Sequence, residues 1–350
     1  MLDVSKEAAG IATADWRFWD DLRECTVLVT GATGLIGSAC ARALMERNRA
    51  TGAGIRVICL VRDSRRAREV LVGYGESDGL VLIEGSLIAD LGGVNLDYII
   101  HAASPTASSY FVSNPVETAD AIVEGTRSLL QIGRDSAVRG FVYVSSMEVY
   151  GSGNDAPGLD HLLTEDEPGV VDPLQVRSSY SEGKRMAEQY CVAFASEYGT
   201  PAFIVRLAQT FGSGVSPDDG RLFALCVRAA LAGDDIVLRT TGRSTRMYLY
   251  TADAVTAILS VLTKGEPGAA YNAANPATYS SVMQLAGMAA ALSEGGQTRV
   301  RCEVEAGAPF PPEHHLPLDV SRLEALGWRP TIDLPRMVDI LASHFQAESE

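Results

Sequence analysis

The chain has 350 residues, with 44 acidic side chains against 29 basic ones and a formal charge of −15. Hydrophobic residues make up 47% and charged residues 21%, a globular composition that excludes disordered and collagen-like classes. So acidic a surface repels phosphate backbones, which argues against a nucleic-acid partner but leaves room for a local basic pocket that takes a small anion.

Residues 1–22 precede the first strand, and Trp16, Phe18, Trp19 and Leu22 give this segment an apolar side, which predicts a helix docked on the domain surface. The first strand is expected at Thr26–Thr30, followed by a helix from about Leu35 to Arg47. A second strand, Arg56–Arg62, is mostly apolar, as a strand covered on both faces must be. The basic stretch Arg62 to Arg68 follows it. Further strands are predicted at Leu80–Ile83, Leu96–Ala102 and Gly140–Ser145, with a helix over about Pro115–Gly133 between the last two. Residues 151–178 read as loop, before a long helix at Ser179–Tyr198 and a strand at Ala202–Leu207. Gly, Ser, Pro and Asp mark 213–220 as another loop, beyond which the pattern is less regular. Strands alternating with helices predict an α/β fold, a doubly wound parallel sheet with a smaller C-terminal α/β lobe.

No apolar run approaches the ~18–20 residues that span a bilayer, and the N-terminus lacks the basic-then-apolar layout of a signal peptide. A cytoplasmic protein with no membrane partner is expected. Cys25, Cys40, Cys59, Cys191, Cys226 and Cys302 form no C-x-x-C pair and read as buried, reduced thiols. The histidines show no H-x-x-x-H spacing, so no metal site is expected.

The first strand runs into Gly31-Ala32-Thr33-Gly34-Leu35-Ile36-Gly37, where a helix begins. A glycine triplet between a strand and a helix suits a dinucleotide: Gly31 takes the tight turn, Gly34 lets a pyrophosphate approach, and Gly37 permits close helix packing. The helix start offers free N–H groups to the anion. The end of the second strand bears on which dinucleotide. NAD sites place an acid there, whereas NADP sites place an arginine nearby. Val61 holds the acidic position, Arg62 follows it, and Asp63 is a displaced candidate for the ribose. The cofactor is therefore NAD or NADP, with a lean toward NADP or a relaxed site.

The fifth strand ends Ser145-Ser146-Met147-Glu148-Val149-Tyr150, and Tyr180 and Lys184 follow at i, i+4 on the long helix. A lysine ammonium near a phenol lowers its pKa toward neutrality. Such a tyrosine takes a proton from a sugar hydroxyl while hydride leaves the same carbon, and a strand-end serine hydrogen-bonds the developing carbonyl.

With these motifs together, the chain resembles an extended short-chain dehydrogenase/reductase of the nucleotide-sugar epimerase/dehydratase branch, from about Thr26 to about Pro335. Leu326-Gly327-Trp328-Arg329-Pro330 matches a motif of this branch. The resemblance implies a dinucleotide-binding Rossmann domain at 23–205, to which 246–264 return, after an N-terminal extension at 1–22. A nucleotide-sugar lobe is implied at 206–245 and 265–350. It implies Tyr180 as catalytic base, Lys184 as its partner and ribose ligand, and Ser146 as hydroxyl donor. Arg246 matches a diphosphate ligand, Arg221 a nucleotide-side contact, and Gln209 replaces a substrate-side asparagine. On the cofactor side it adds Ala102, Ala103 and Ser104, the serine also facing substrate. A homodimer is a further implication.

His101-Ala102-Ala103-Ser104-Pro105, Asn114-Pro115-Val116-Glu117-Thr118 and Glu148 are locally similar to UDP-glucuronate decarboxylases. In those enzymes the matching glutamate sits beside the substrate, so Glu148 is a candidate proton-transfer group; the alternative is a carboxylate that orients Tyr150 or a loop. Dehydratases of the branch carry an Asp-Glu pair here, and Met147 cannot act as the acid. Ser86 after Gly85 and Ile122 ahead of Gly125-Thr126 depart from the branch on the cofactor side. The leading expectation is an epimerase that transiently oxidises a sugar hydroxyl at C4. Alternatives are a UDP-uronate decarboxylase, a non-redox pyranose–furanose mutase, and a ligand-sensing relative without activity.

Overall fold

The computed structural model describes residues 4–85, 91, 93–304 and 313–349. The N-terminal segment forms α1 (Val4–Thr13) and α2 (Phe18–Asp21) where a single helix was expected. Phe18, Trp19 and Leu22 are buried, and the Trp19 indole donates to the Ile11 carbonyl at 3.3 Å. There follow β1 (Thr26–Thr30), α3 (Leu35–Thr51), β2 (Arg56–Val61), α4 (Ser64–Val70), β3 (Leu80–Glu84) and β4 (Tyr98–His101). Next come α5 (Ser108–Ser113), α6 (Pro115–Asp135), β5 (Gly140–Ser146), α7 (Ser178–Tyr198), β6 (Ala202–Leu207) and β7 (Gln209–Phe211). The remainder is α8 (Leu222–Ala232), β8 (Ile236–Leu238), β9 (Thr245–Tyr250), α9 (Thr251–Lys264), β10 (Ala270–Ala273), β11 (Asn275–Ser281), α10 (Val282–Ala290), β12 (Val300–Cys302), β13 (His315–Leu316), α11 (Ser321–Ala325) and α12 (Leu334–Ser349).

β1 and β6 occupy the expected residues. β4 is shorter than Leu96–Ala102 because the Asp97 carboxylate accepts the Thr26 N–H at 2.7 Å and closes the turn before it. β2 stops at Val61 because Asp63 already caps the next helix.

The main sheet has seven strands in the order β10-β6-β5-β4-β1-β2-β3, with every pairing parallel. Its central strands are buried on both faces, so they carry continuous apolar runs such as Val27–Val29 and Phe141–Val144. Helices α3 and α9 cover one face with α2, and α6 and α7 cover the other. This is the Rossmann-like α/β fold, with the order reversing between β1 and β4 at the carboxyl ends of the strands.

A second, four-stranded sheet joins β11, β9, β13 and β7, and β8 pairs β12. Both pack with α8, α10 and α12 around a separate core that includes Phe211, Phe223, Tyr248 and Leu341. β9 thus belongs to the lobe, while β10, within the span read as lobe, completes the main sheet. Trp328 is fully buried and donates to the Asp253 carbonyl (3.2 Å) and the Thr256 hydroxyl (3.0 Å) of α9, which fastens the end of the chain to the main domain. All six cysteines are free; five are buried as expected, whereas Cys302 is exposed on the edge pair β8–β12. Among the described residues no helix is long and apolar enough to cross a membrane.

Candidate active site

The glycine turn is built from backbone in close contact. Gly31 has φ +71°, and a Cβ there would lie 2.8 Å from the Ala102 carbonyl carbon. A Cβ on Gly37 would lie 2.2 Å from the Gly31 oxygen. Only glycine fits either place. Gly34 begins α3 with no side-chain cap, and the first helical bond runs from the Ser38 N–H to the Gly34 carbonyl at 3.0 Å. The N–H groups of Leu35, Ile36 and Gly37 precede that ladder and stand ready for an anion, beside the exposed Thr33 and Gly34. A cradle that any side chain would fill, at an uncapped helix start, fits a dinucleotide pyrophosphate.

Beneath the turn, the Ala103 N–H donates to Thr30 Oγ1 at 3.3 Å. Thr30 Oγ1 meets His101 Nδ1 at 2.8 Å, and His101 Nε2 meets Thr126 Oγ1 at 3.1 Å. Burial, helped by the charge of Lys184, pushes the His101 pKa down to about 3, so the ring is a neutral strut tying β4 to β1 and α6. Ser104 turns its hydroxyl to the Pro105 carbonyl at 3.1 Å. At the end of β2, Arg62 is exposed, while the Asp63 carboxylate accepts the Arg66 N–H at 3.0 Å and so caps α4. Ser86 lies outside the described residues.

Ser146 at the end of β5 and Tyr180 and Lys184 on α7 come together as the spacing predicts. The Tyr180 phenol lies close enough to Ser146 for that serine to favour its ionised form. Its ring stacks on Phe111 of α5 with centroids 4.2 Å apart and planes at 10°. Lys184 donates to the Val144 carbonyl at 2.8 Å, with Nζ 4.8 Å from the centre of the Tyr143 ring and 5.6 Å from that of Tyr180. The expected lowering of the phenol toward neutrality is not met in this arrangement. Burial pushes Tyr180 well up and the Glu148 charge adds to it, against smaller opposing effects of Ser146, Arg221 and Arg177. Lys184 is itself desolvated: burial lowers it to about 7, and Glu188, one turn further on, only partly opposes this. Glu188 in turn accepts Ser145 Oγ at 2.6 Å and pairs with Arg206 at 2.7 Å.

The opposite wall is made of charged side chains. Glu148 Oε2 lies 3.0 Å from Arg177 Nη1, and Oε1 lies 3.3 Å from Nη2. Burial alone would raise the glutamate, but Arg177, with Arg246 and His314, outweighs it and holds the carboxyl below its ordinary range. Tyr150 does not use Glu148; it meets Asn272 Oδ1 at 2.8 Å and accepts from Arg206 at 2.9 Å. Met147 is buried in the main core. Arg246 Nη2 meets His314 Nε2 at 2.8 Å, while its Nε is buried without a hydrogen-bond partner. Arg221 grips Asp219 with two nitrogens, at 3.0 and 2.6 Å, over the Phe223 ring. Gln209 opens β7, half-buried, in register with Tyr248.

Sequence reasoning missed Arg177, His314, Phe111 and Asp219. Arg177 was readable, since three residues before Tyr180 is one helical turn. His314 was not: only the pairing of β13 with β9, His315 opposite Thr245, brings it to Arg246. Among the described residues no cluster of three or more potential metal ligands occurs.

A sequence model of the NAD dependent epimerase/dehydratase family matches residues 27–274. The chain belongs to that family. It is 28% identical over 321 residues to UDP-glucuronic acid decarboxylase 6 of Arabidopsis thaliana, covering 91% of this chain and 88% of the relative. Its fold matches an epimerase from Methanothermobacter thermautotrophicus with a TM-score of 0.78, at 21% identity over 95% of each chain. It also matches UDP-glucuronic acid 4-epimerase from Bacillus cereus, solved in complex with UDP-glucuronic acid and NAD, with a TM-score of 0.74 at 18% identity over 92% of this chain and 99% of that one. The extended short-chain dehydrogenase/reductase resemblance read from Gly31–Gly37, Ser146, Tyr180 and Lys184 is thus met by family membership.

Proposed function

We propose that this member of the epimerase/dehydratase family is a nucleotide-sugar 4-epimerase. The observation that carries the reading is Tyr180 set beside Ser146 and the buried Lys184, with Met147 where a dehydratase would place its acid. When bound, NAD(P) accepts a hydride from a sugar carbon and gives it back. Tyr180, in its ionised form, takes the proton of the C4 hydroxyl and later returns it. Ser146 holds the same sugar oxygen as it becomes a carbonyl. Lys184 anchors the ribose end of the cofactor beside Tyr180. Arg246, with its unpartnered Nε, and Arg221 hold the diphosphate from the lobe side. Glu148 stays ionised and matched by Arg177, which leaves it no proton to donate and makes dehydration a poor fit.

A second reading, decarboxylation of a UDP-uronate, is favoured by the decarboxylase relative and by the cations around Glu148. It ranks behind because Arg177 is already neutralised by that glutamate. The test is incubation of the protein with UDP-hexoses and UDP-uronates, followed by proton NMR. Inversion at C4 that disappears in Tyr180→Phe is the expected result. Carbon dioxide with a UDP-pentose would replace it by the second reading, and no change in any sugar would sink both.

A further inference from the structure

The edge of the main sheet beside the glycine turn carries a cluster of basic side chains in an acidic chain. β2 runs parallel to β1 with Thr30 opposite Leu60, so the residues after β2 stand next to Gly31–Gly34. In an NAD site a carboxylate at this strand end receives the adenosine ribose hydroxyls. Here Val61 takes that position, with its side chain buried in the core. The nearby acids are engaged. Asp63 caps α4 through the Arg66 N–H at 3.0 Å, and Glu84, in register with Val61, accepts the Ser64 N–H at 3.2 Å and the Ser64 hydroxyl. Both carboxylates are thus bound to the first turn of α4.

Residues 62–69 hold Arg62, Arg65, Arg66 and Arg68 against Asp63 and Glu69, in a chain whose net charge is −15. Arg65 and Arg66 share Glu69 in exposed pairs of 3.6 and 3.1 Å, which contribute little and exchange readily. Arg62 itself is exposed, directly after the strand. A guanidinium matches a phosphate with paired N–H groups, whereas it repels nothing and gains little from a neutral hydroxyl.

We propose that this edge selects NADP over NAD, with Arg62 binding the 2′-phosphate where an NAD site would carry a carboxylate for the ribose hydroxyls. The proposal rests on the reading that the glycine turn holds a dinucleotide, and it concerns the ribose end alone.

The experiment is calorimetric titration of protein stripped of dinucleotide with NADPH and with NADH, in the absence of sugar, so that binding is read without turnover. NADPH is expected to bind at least ~10-fold tighter, with the gap narrowing as salt is raised. Arg62→Ala closes the gap by weakening NADPH while NADH affinity holds; Arg62→Lys keeps part of it, because the charge remains but the paired geometry is lost. Thermal melts of both variants are expected to match the parent, since Arg62 is exposed. NADH binding as tightly as NADPH, or an unchanged gap in Arg62→Ala, overturns this proposal and leaves the epimerase reading standing. Failure of both dinucleotides to bind overturns the proposal together with the dinucleotide reading beneath it.

Discussion

Around the glycine turn the contacts are main chain against main chain: Gly31 lies on the Ala102 carbonyl, and Gly37 lies on Gly31. Across the cleft, the Glu148–Arg177, Arg221–Asp219 and Arg246–His314 pairs do the shaping, and they are side chains held by other side chains. The first wall is rigid because added atoms have nowhere to go. The second can be retuned by exchanging one partner. Such a division suits a fold that carries different functions, with a fixed backbone cradle on one side and replaceable charges on the other.

The largest expected effect falls where the walls meet. On the epimerase reading, Tyr180→Phe removes the proton carrier and should lower kcat by about 10³-fold, near 4 kcal/mol of barrier, with an unchanged melting temperature. A residual rate within tenfold of the parent would move the chemistry elsewhere. Gly37→Val strikes the backbone wall. Its Cβ would sit 2.2 Å from the Gly31 oxygen, and denaturant melts should show a loss of about 1–3 kcal/mol together with lost dinucleotide binding.

The charged wall predicts shifts of opposite sign. Glu148 raises Tyr180 and Arg177 lowers it, so Glu148→Gln should move the tyrosine-governed limb of the kcat/KM profile to lower pH and Arg177→Leu to higher pH. Movement of both limbs in one direction would break the comparison. Lys184 gives a smaller, thermodynamic signature. Its folded pKa of about 7 lies below the ordinary 10.5. Between those values the unfolded chain holds the proton that the folded one has released, so stability of the cofactor-free protein rises with pH through this window. Lys184→Met should flatten that rise in melts taken from pH 7 to 10. The smallest effect is a null: His101, held neutral at about 3, should show no imidazole titration by NMR from pH 8 to 4.

Much of this was legible along the chain. β1 and β6 follow from apolar runs bounded by turns, and Gly31, Gly34 and Gly37 from their place between strand and helix. Tyr180 and Lys184 follow from spacing of four on one helix. The N-terminal segment was legible as an apolar, docked piece, but not as α1 and α2 in succession. The Tyr180 environment was not legible. Proximity of a lysine suggested a lowered phenol, yet desolvation of both groups and the Val144 carbonyl decide the charge balance.

By itself, then, the sequence determined the strand–turn–helix start, the parallel sheet and the Ser146, Tyr180 and Lys184 set, because each depends on neighbours within a few residues or on a simple period. The tertiary structure alone decided that β10 joins the main sheet and β9 the lobe. It also set Glu148 against Arg177, brought His314 to Arg246 across 68 positions, and bound Asp63 and Glu84 to α4 so that Arg62 stands open. Pairing partners and local dielectric depend on which distant segments pack together, and no local pattern encodes either.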